Sequence, residues 1–348
     1  MDGNVGAHHD PARLDRVRPL CAPVAGAIAS ARCRASDTQG EFHSNGRPVA
    51  WLLVAAVLVS ACLPVTRPII KIGLVAPFEG RYRDIGYEVI YAVRLAVREA
   101  NAAGGAAGYE VELTALDDSG DPGAAAEQAR KLATDPQVLG VIGDWLGPTT
   151  FSAAPLYAAE GLPYLATAAS ALPPAAYRLW LTSAALRDAA AGAELCPLPC
   201  DSLEDLSWLS QTRASGVSAA IFGPPLWGEP QFATLAGSLA NGVRFVSPAP
   251  LPADATDPGF AGRYRAVSNG VEPRANAVLA YDAARLLLAA VKRSVQAGSA
   301  PSRAGVNAAL AQISFRGLSG TIHFDAAHNW AEARGWVYEW QAGQARRP

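Results

Sequence analysis

From Ile69 onward, short continuous apolar runs alternate with longer segments whose apolar residues recur every three or four positions, the signatures of buried strands and amphipathic helices respectively. IIKIGLV (69–75) reads as a strand, and Tyr87 to Ala102 reads as a helix with Val89, Val93, Ala96, Val97 and Ala100 on one face and Arg94, Arg98 and Glu99 on the other. Gly104-Gly105 ends it. Tyr109 to Leu116 is a second strand, followed by a helix with Asp121 as N-cap and Pro122 in its first turn. Val138–Ile142, Thr149–Glu160 and Pro163–Thr167 continue as strand, helix and strand. Such strict alternation predicts a parallel sheet covered on both faces. The second half repeats the kind with less regularity: helices at 202–214 and 229–240, strands at 217–222 and 243–246, helices at 259–268, 275–295 and 302–311, and closing strands at 321–324 and 336–340.

Composition fits this reading. The 348 residues are 50% hydrophobic and 17% charged, enough for a sizeable core and consistent with two domains. Lys plus Arg (29) nearly balances Asp plus Glu (31), so no global field attracts nucleic acid or an anionic surface. Val49 to Ala61 is apolar but thirteen residues long, where a membrane-spanning helix needs roughly 20. With Arg47 before it and Ser60-Ala61 after it, the run has the order of a secretory signal. Residues 1–61 are therefore excluded from fold reasoning as an upstream leader plus signal peptide. The leader resembles upstream translation; Met1 is the only Met, so a start nearer residue 45 would use another codon.

The four residues VSAC, ending at Cys62, resemble the lipobox of bacterial lipoproteins, which implies lipidation of Cys62 and anchoring to the outer face of the cell membrane. Cys196-Pro-Leu-Pro-Cys200 then remains, either as a local disulfide, which an exported chain permits, or as free thiols. The only His residues after the leader, His323 and His328, are far off in sequence, so no metal site and no cofactor are expected. The Asp117, Asp118, Asp121 cluster lacks the closing Glu of a calcium loop and suits strand-end and N-cap duty. No nucleophile-elbow, zinc-protease, P-loop or dinucleotide-binding motif is present, and His323 and His328 near Asp325 read as polar residues around a terminal strand. An enzyme is not expected.

In an open α/β sheet, ligands bind outside the carboxyl ends of the strands. Three loops qualify: 78–86, 144–150 and 167–172. Thr149 and Thr150 stand at a helix start, where hydroxyls, free N–H groups and the dipole favour a carboxylate, although Thr149 equally serves as a simple N-cap. Ala168, Ala169 and Ser170 offer small-residue backbone that a ligand can approach closely.

The segments IKIGLVAPFEG, ANAAGG, LDDSGDPGAAAEQARKLATDPQVLGVIGD and GLPYLATAAS, in this order and spacing, resemble the type I periplasmic binding proteins of branched-chain amino acid ABC transporters. The resemblance resumes with AYDAARLLLAAV, FRGLSGTIHFDAAHN and GWVYEWQAGQ. It implies an α/β fold of two lobes joined by three crossovers, with the ligand in the cleft between them. Lobe 1 would comprise 69–182 with 272–318, and lobe 2 would comprise 183–271 with 319–343. Carried over by position, the ligand-binding residues are Ile85, Gly147, Thr149, Thr150, Ala168, Ala169, Ser170 and Trp227. Gly147 stands where the family usually has Ser, and no acidic residue occurs at 247–250, where amino-acid binders commonly place one. Between Arg178 and Ser215 the family's usual strand and following helix are not discernible, so lobe 2 is expected to be short by one unit. The implied function is an extracytoplasmic receptor that binds an amino acid or similar small molecule and delivers it to an ABC permease, tethered through a lipid anchor. The alternative is a degenerate homologue serving as a sensor or envelope scaffold.

Overall fold

The computed structural model describes residues 67–168, 172–195, 206–296 and 300–348. The leader and signal segment 1–61, Cys62, Ala169, Ser170, Cys196 and Cys200 lie outside the described residues. No helix among the described residues is long and apolar enough to cross a membrane.

Lobe 1 begins with strand β1 (Ile69–Ala76), helix α1 (Arg83–Ala102), β2 (Glu110–Asp117), α2 (Pro122–Thr134), β3 (Val138–Gly143), α3 (Gly147–Ala159), β4 (Tyr164–Ala166) and β5 (Tyr177–Arg178). The five strands form one parallel sheet in the order β2-β1-β3-β4-β5. Both faces are covered, so β3 is buried along its whole length, as its continuous apolar run requires. Two observed caps match the pattern in the sequence. Asp121 Oδ1 accepts the Ala124 N–H at 2.8 Å and starts α2. At the far end of α1, Gly104 and Gly105 have φ of +96° and +82°, and a Cβ on Gly105 would lie 1.9 Å from Tyr109 O. Helix α1 starts four residues earlier than its apolar period predicts. The loop before it is held by Asp117, whose Oδ1 accepts Phe78 N–H at 2.7 Å and Glu79 N–H at 3.2 Å, a long-range contact that periodicity does not register.

The chain then crosses to lobe 2: α4 (Ser183–Ala189), β6 (Glu194–Leu195), α5 (Leu206–Ala214), β7 (Ile221–Phe222), a 3-10 turn (Pro225–Gly228), α6 (Pro230–Ala236), a second 3-10 turn (Gly237–Ala240) and β8 (Val243–Ser247). The unit expected to be missing between Arg178 and Ser215 is present in reduced form. Strand β6 pairs in parallel with β7, and α5 follows it. Two residues of strand are too few to leave a periodic signal, which explains the discrepancy.

The return to lobe 1 comes earlier than the sequence division at 271. Ala249, Phe260 and Tyr264 are buried in the lobe 1 core, with Tyr264 Oη donating to Glu88 O at 2.9 Å. Helices α7 (Phe260–Val267), α8 (Ala275–Gln296) and α9 (Arg303–Leu310) and the hairpin of β9 (Phe315–Gly317) and β10 (Gly320–Ile322) complete that side. Helix α8 is buried along most of its length, and Gly140 admits Leu287 against β3, since a Cβ there would meet Leu287 Cδ1 at 2.6 Å. Buried Asp282 on α8 accepts the Leu318 and Ser319 N–H groups at 2.7 and 2.8 Å, fixing the hairpin turn. Burial pushes this carboxyl up to about 6 against the pull of those hydrogen bonds.

A last crossing leads to β11 (Trp336–Gln341) and β12 (Gln344–Arg346), which join the lobe 2 sheet in the order β12-β11-β8-β7-β6, with β11 antiparallel to β8. The first and last crossings run side by side: Arg178 N–H donates to His328 O at 2.8 Å, and Trp330 N–H to Arg178 O at 3.2 Å.

Candidate functional site

In lobe 1 the strand order reverses between β1 and β3, and the crevice outside the carboxyl ends of those strands is where open α/β sheets hold ligands. Gly143 closes β3 with φ +141°, and a Cβ there would lie 2.3 Å from Val75 O, so only glycine lets the two strand ends approach this closely. The next residues, Asp144 to Leu146, are buried and lead into α3.

Asp144 belongs to a buried acid pair with Asp118. Asp144 Oδ2 accepts from Tyr164 Oη at 2.9 Å, and the Asp144 N–H donates to the same oxygen at 2.8 Å. Asp118 Oδ1 accepts the Gly120 N–H at 2.9 Å. Asp118 Oδ2 and Asp144 Oδ1 are buried without a hydrogen-bond partner among the described residues, and each charge raises the other, so the pair disfavours two ionised carboxyls. Burial is the main cause that pushes Asp118 up to about 6, and burial followed by the neighbouring Asp118 charge raises Asp144 well above its ordinary value. Both folded values exceed the unfolded one. Their contribution is therefore complete below the ordinary carboxylate value of 3.8 and is lost as pH rises through about 6. Asp144→Asn keeps an acceptor for Tyr164 and offers Asp118 a permanent N–H donor. We expect the variant to lose less stability than the parent when melting temperature is followed upward through that range; an unchanged pH dependence would contradict the raised titration of the pair.

Helix α3 opens on Gly147-Pro148, with Leu146 as its N-cap residue, no side-chain cap and no acidic residue in the first turn. Pro148 has no N–H and the Thr150 N–H donates to Leu146 O at 3.0 Å, so the N–H groups without an intrahelical partner are those of Gly147 and Thr149, at the end of the lobe where the strands finish. Nothing lies within 4 Å of a Cβ built on Gly147, so the position opposite them is open. Trp145 Nε1, just before the helix, is a buried donor without a partner among the described residues.

The other expected residues are placed as follows. Thr149 and Thr150 are fully buried, and their hydroxyls donate inward, Thr149 Oγ1 to Leu146 O at 2.9 Å and Thr150 Oγ1 to Asp144 O at 2.8 Å. They brace the loop, because α3 starts at Gly147 rather than Thr149 and turns both side chains into the helix start. Ala168 is buried, and the preceding Thr167 Oγ1 donates to Asp144 O at 3.2 Å, so the loops after β3 and β4 are tied together. Ile85 is buried in the lobe 1 core. Trp227 is fully buried in the lobe 2 core, stacked on Phe232 at 4.5 Å, with its carbonyl accepting from Trp340 Nε1 at 2.7 Å.

Where the lobes meet, three segments converge on a charged cluster. Glu88 of α1 accepts the Arg274 and Ala277 N–H groups at 3.0 and 2.8 Å, capping α8, and pairs with Arg274 Nη2 at 2.8 Å. Arg274 reaches Glu229 of lobe 2 at 3.4 Å, and Asn276 Nδ2 donates to Glu229 Oε1 at 2.7 Å. Gln231 Nε2 donates to Asp84 Oδ2 at 2.8 Å, a second bond between the lobes. Burial, then repulsion from Glu88, pushes Glu229 up to about 7. Glu229, Arg274 and Asn276 line a cavity of about 280 Å³ whose other walls include Trp180, Phe245 and Leu251. Arg274 and Asn276 carried no signal in the sequence beyond their place at the start of a long apolar helix. Glu229, in the loop after β7, lies on the same cavity wall as Ser247 and Pro248, whose segment carries no acid of its own. No group of His, Cys, Asp and Glu suited to a metal ion occurs among the described residues.

A family model described as periplasmic binding protein matches the chain over residues 69–194 and 181–345. Among curated proteins, the Leu/Ile/Val-binding protein homolog 7 of Brucella melitensis is 33% identical over 124 residues, which is 36% of this chain and 29% of that protein, so the match spans under a third of the relative's length. Among solved structures, the chain resembles a possible leucine/isoleucine/valine-binding protein from Rhodopirellula baltica (TM-score 0.68, 17% identity, 82% of this chain and 98% of that one). It also resembles the substrate-binding protein LivJ from Streptococcus pneumoniae in complex with isoleucine (0.63, 20%, 80% and 98%). A solute-binding protein from R. palustris in complex with benzoate aligns comparably (0.64, 19%, 80% and 95%). At these identities the structural likeness establishes the two-lobe α/β fold.

Proposed function

Because the chain belongs to the periplasmic binding protein family, with the family model matching it from residue 69 to 345, we propose that it is the extracytoplasmic solute receptor of an ABC importer and binds an amino acid or a similar small molecule between its lobes. It performs no chemistry on that solute; it is a binder. The observation that carries the reading is the uncapped start of α3 beside the open Gly147 position, at the crevice where the strand order reverses. Free N–H groups and the helix dipole there suit a ligand carboxylate. The ligand bound by the solved relative LivJ is isoleucine, and that of the R. palustris protein is benzoate; both carry a carboxylate. By the family resemblance, Ser170 is proposed to add a hydroxyl to the ligand's partners. Export through the segment before Cys62, with lipidation of that cysteine, would hold the receptor at the outer face of the cell membrane beside its permease.

Gly147 tests the reading because it can be substituted without a clash. Gly147→Asp places an internal carboxylate at the helix start. We expect the folded state to gain about 1 kcal/mol from the new charge–dipole interaction while affinity for a carboxylate ligand falls at least tenfold. Gly147→Ser should leave binding intact. Calorimetric titration and a melting curve read both effects, and a Gly147→Asp protein that binds as tightly as the parent overturns the assignment.

A second reading, a sensor or scaffold that no longer transports, is favoured by the two-residue strands β6 and β7 and by Tyr82 and Leu226, which pack against the cores of both lobes. Ligand-dependent uptake by cells carrying the intact permease separates the two.

A further inference from the structure

Asp144 stands three residues before Gly147, the open start of α3, and is buried together with Asp118, which follows β2. Three peptide units reach at most about 11 Å, a range over which charges still interact through a protein interior. The segment is also braced to its surroundings, because Asp144 O accepts both Thr150 Oγ1 of the first turn of α3 at 2.8 Å and Thr167 Oγ1 at 3.2 Å. The groups that act most strongly on the two carboxyls are each other, Asp117, Tyr164 of β4 and backbone N–H groups, and none of them is basic. Tyr157 of α3 feels both acids. Asp118 Oδ2, Asp144 Oδ1 and Tyr157 Oη are all buried without a hydrogen-bond partner among the described residues. Against the effect of burial, hydrogen bonds from Ser119, Phe78 and Glu79 hold Asp117 below its ordinary value, so it stays ionised. Negative charge at the pair is therefore balanced by protonation, and the proton goes to Asp118 or Asp144.

We infer that this pair is a proton-linked regulator of the site at the start of α3: a carboxylate ligand binds there together with a proton taken up by Asp118 or Asp144. The inference rests on the receptor reading, since it needs an anion at the α3 N–H groups, and it adds a pH dependence that peptide N–H groups alone do not have. A further negative charge this close to Asp144 raises the proton affinity of the pair by about tenfold. Burial pushes Asp118 up to about 6, so the change falls between pH 6 and 8, where the free pair gives up a proton that the liganded pair retains. The ligand carboxylate stays ionised throughout that range. By linkage, its affinity falls as pH rises. Glu229, pushed up to about 7 on the cavity wall, titrates in the same range and is the alternative source of a proton effect.

The test is calorimetric titration of the full chain with leucine and with benzoate at pH 6, 6.5 and 8, in two buffers of different ionisation enthalpy, which reads affinity and protons exchanged together. The parent, Asp144→Asn and Asp118→Asn are compared, with a melting curve for each. A probe that binds the parent should bring about half a proton with it at pH 6.5 and bind roughly fivefold more tightly at pH 6 than at pH 8. Either Asn substitution removes one of the two charges and offers the remaining acid a permanent N–H donor. The uptake should then vanish, and the affinities at pH 6 and pH 8 should agree within about twofold. Binding to the parent without proton uptake overturns the inference and leaves the receptor reading standing, and it is read without any substitution. Uptake that survives in a folded Asp144→Asn or Asp118→Asn chain assigns the proton elsewhere, to Glu229 for instance, and overturns it too. No binding of either probe by a folded chain refutes both levels.

Discussion

Trp227→Ala is expected to lower the stability of the folded chain by about 3–5 kcal/mol, with the loss seen in both thermal and urea unfolding. The indole is fully buried, stacks on Phe232 and approaches Trp208 with ring centroids 6.4 Å apart. It also occupies the space that a side chain at Gly223 would need, since a Cβ there would lie 2.1 Å from the ring. Truncation therefore leaves a cavity at the centre of the lobe 2 core, which the surrounding Phe245, Tyr338 and Trp340 cannot close without leaving their own packing. An aromatic residue on a ligand-facing wall would behave differently, losing affinity with little loss of stability. A stable Trp227→Ala protein with impaired binding would contradict the buried placement.

Arg274→Ala should cost about 3 kcal/mol, because removing one partner of a buried ion pair strands the charge of the other. Glu88 and Glu229 would then face each other with only Asn276 and backbone N–H groups for support. Burial already raises both acids, so without the guanidinium the deficit should shrink as pH falls and the carboxyls take up protons. Adding Glu229→Gln to Arg274→Ala should recover part of the loss at pH 8 and little at pH 5. Denaturation of the three proteins at both pH values reads this directly. A deficit independent of pH would show that Arg274 acts through packing of its stem alone.

Much of lobe 1 is legible in the sequence because parallel strands buried on both faces leave unbroken apolar runs and their helices leave a clear three- and four-residue period. β1, β3, α2 with its Asp121 cap and α8 all follow from that. Strands β5, β6 and β7, of two residues each, are too short for any period to form, and β12 is a strand only through its pairing with β11. The placement of α7 in lobe 1 is likewise tertiary, since its amphipathic pattern states that it has a buried face but not which lobe receives it.

The candidate site divides in the same way. The location of the loop after β3 follows from topology, and Gly147 stands open there. The direction of the Thr149 and Thr150 hydroxyls depends on whether α3 begins at residue 147 or 149, a difference that sequence patterns cannot resolve. Trp227 beside Glu229 illustrates the limit most clearly. The two are separated by one residue in GPPLWGEPQF, yet the indole is buried within lobe 2 and the carboxylate lies on the cavity wall shared with lobe 1.

The central claim is that the chain binds a small solute without transforming it, and the most direct measurement is a calorimetric titration of the folded full chain with leucine, isoleucine and valine. The account predicts saturable binding of at least one of them, at one site per chain, with the amino acid recovered unchanged. A chain that melts cooperatively yet gives no saturable heat with any of the three, or that converts the amino acid to another product, would contradict it.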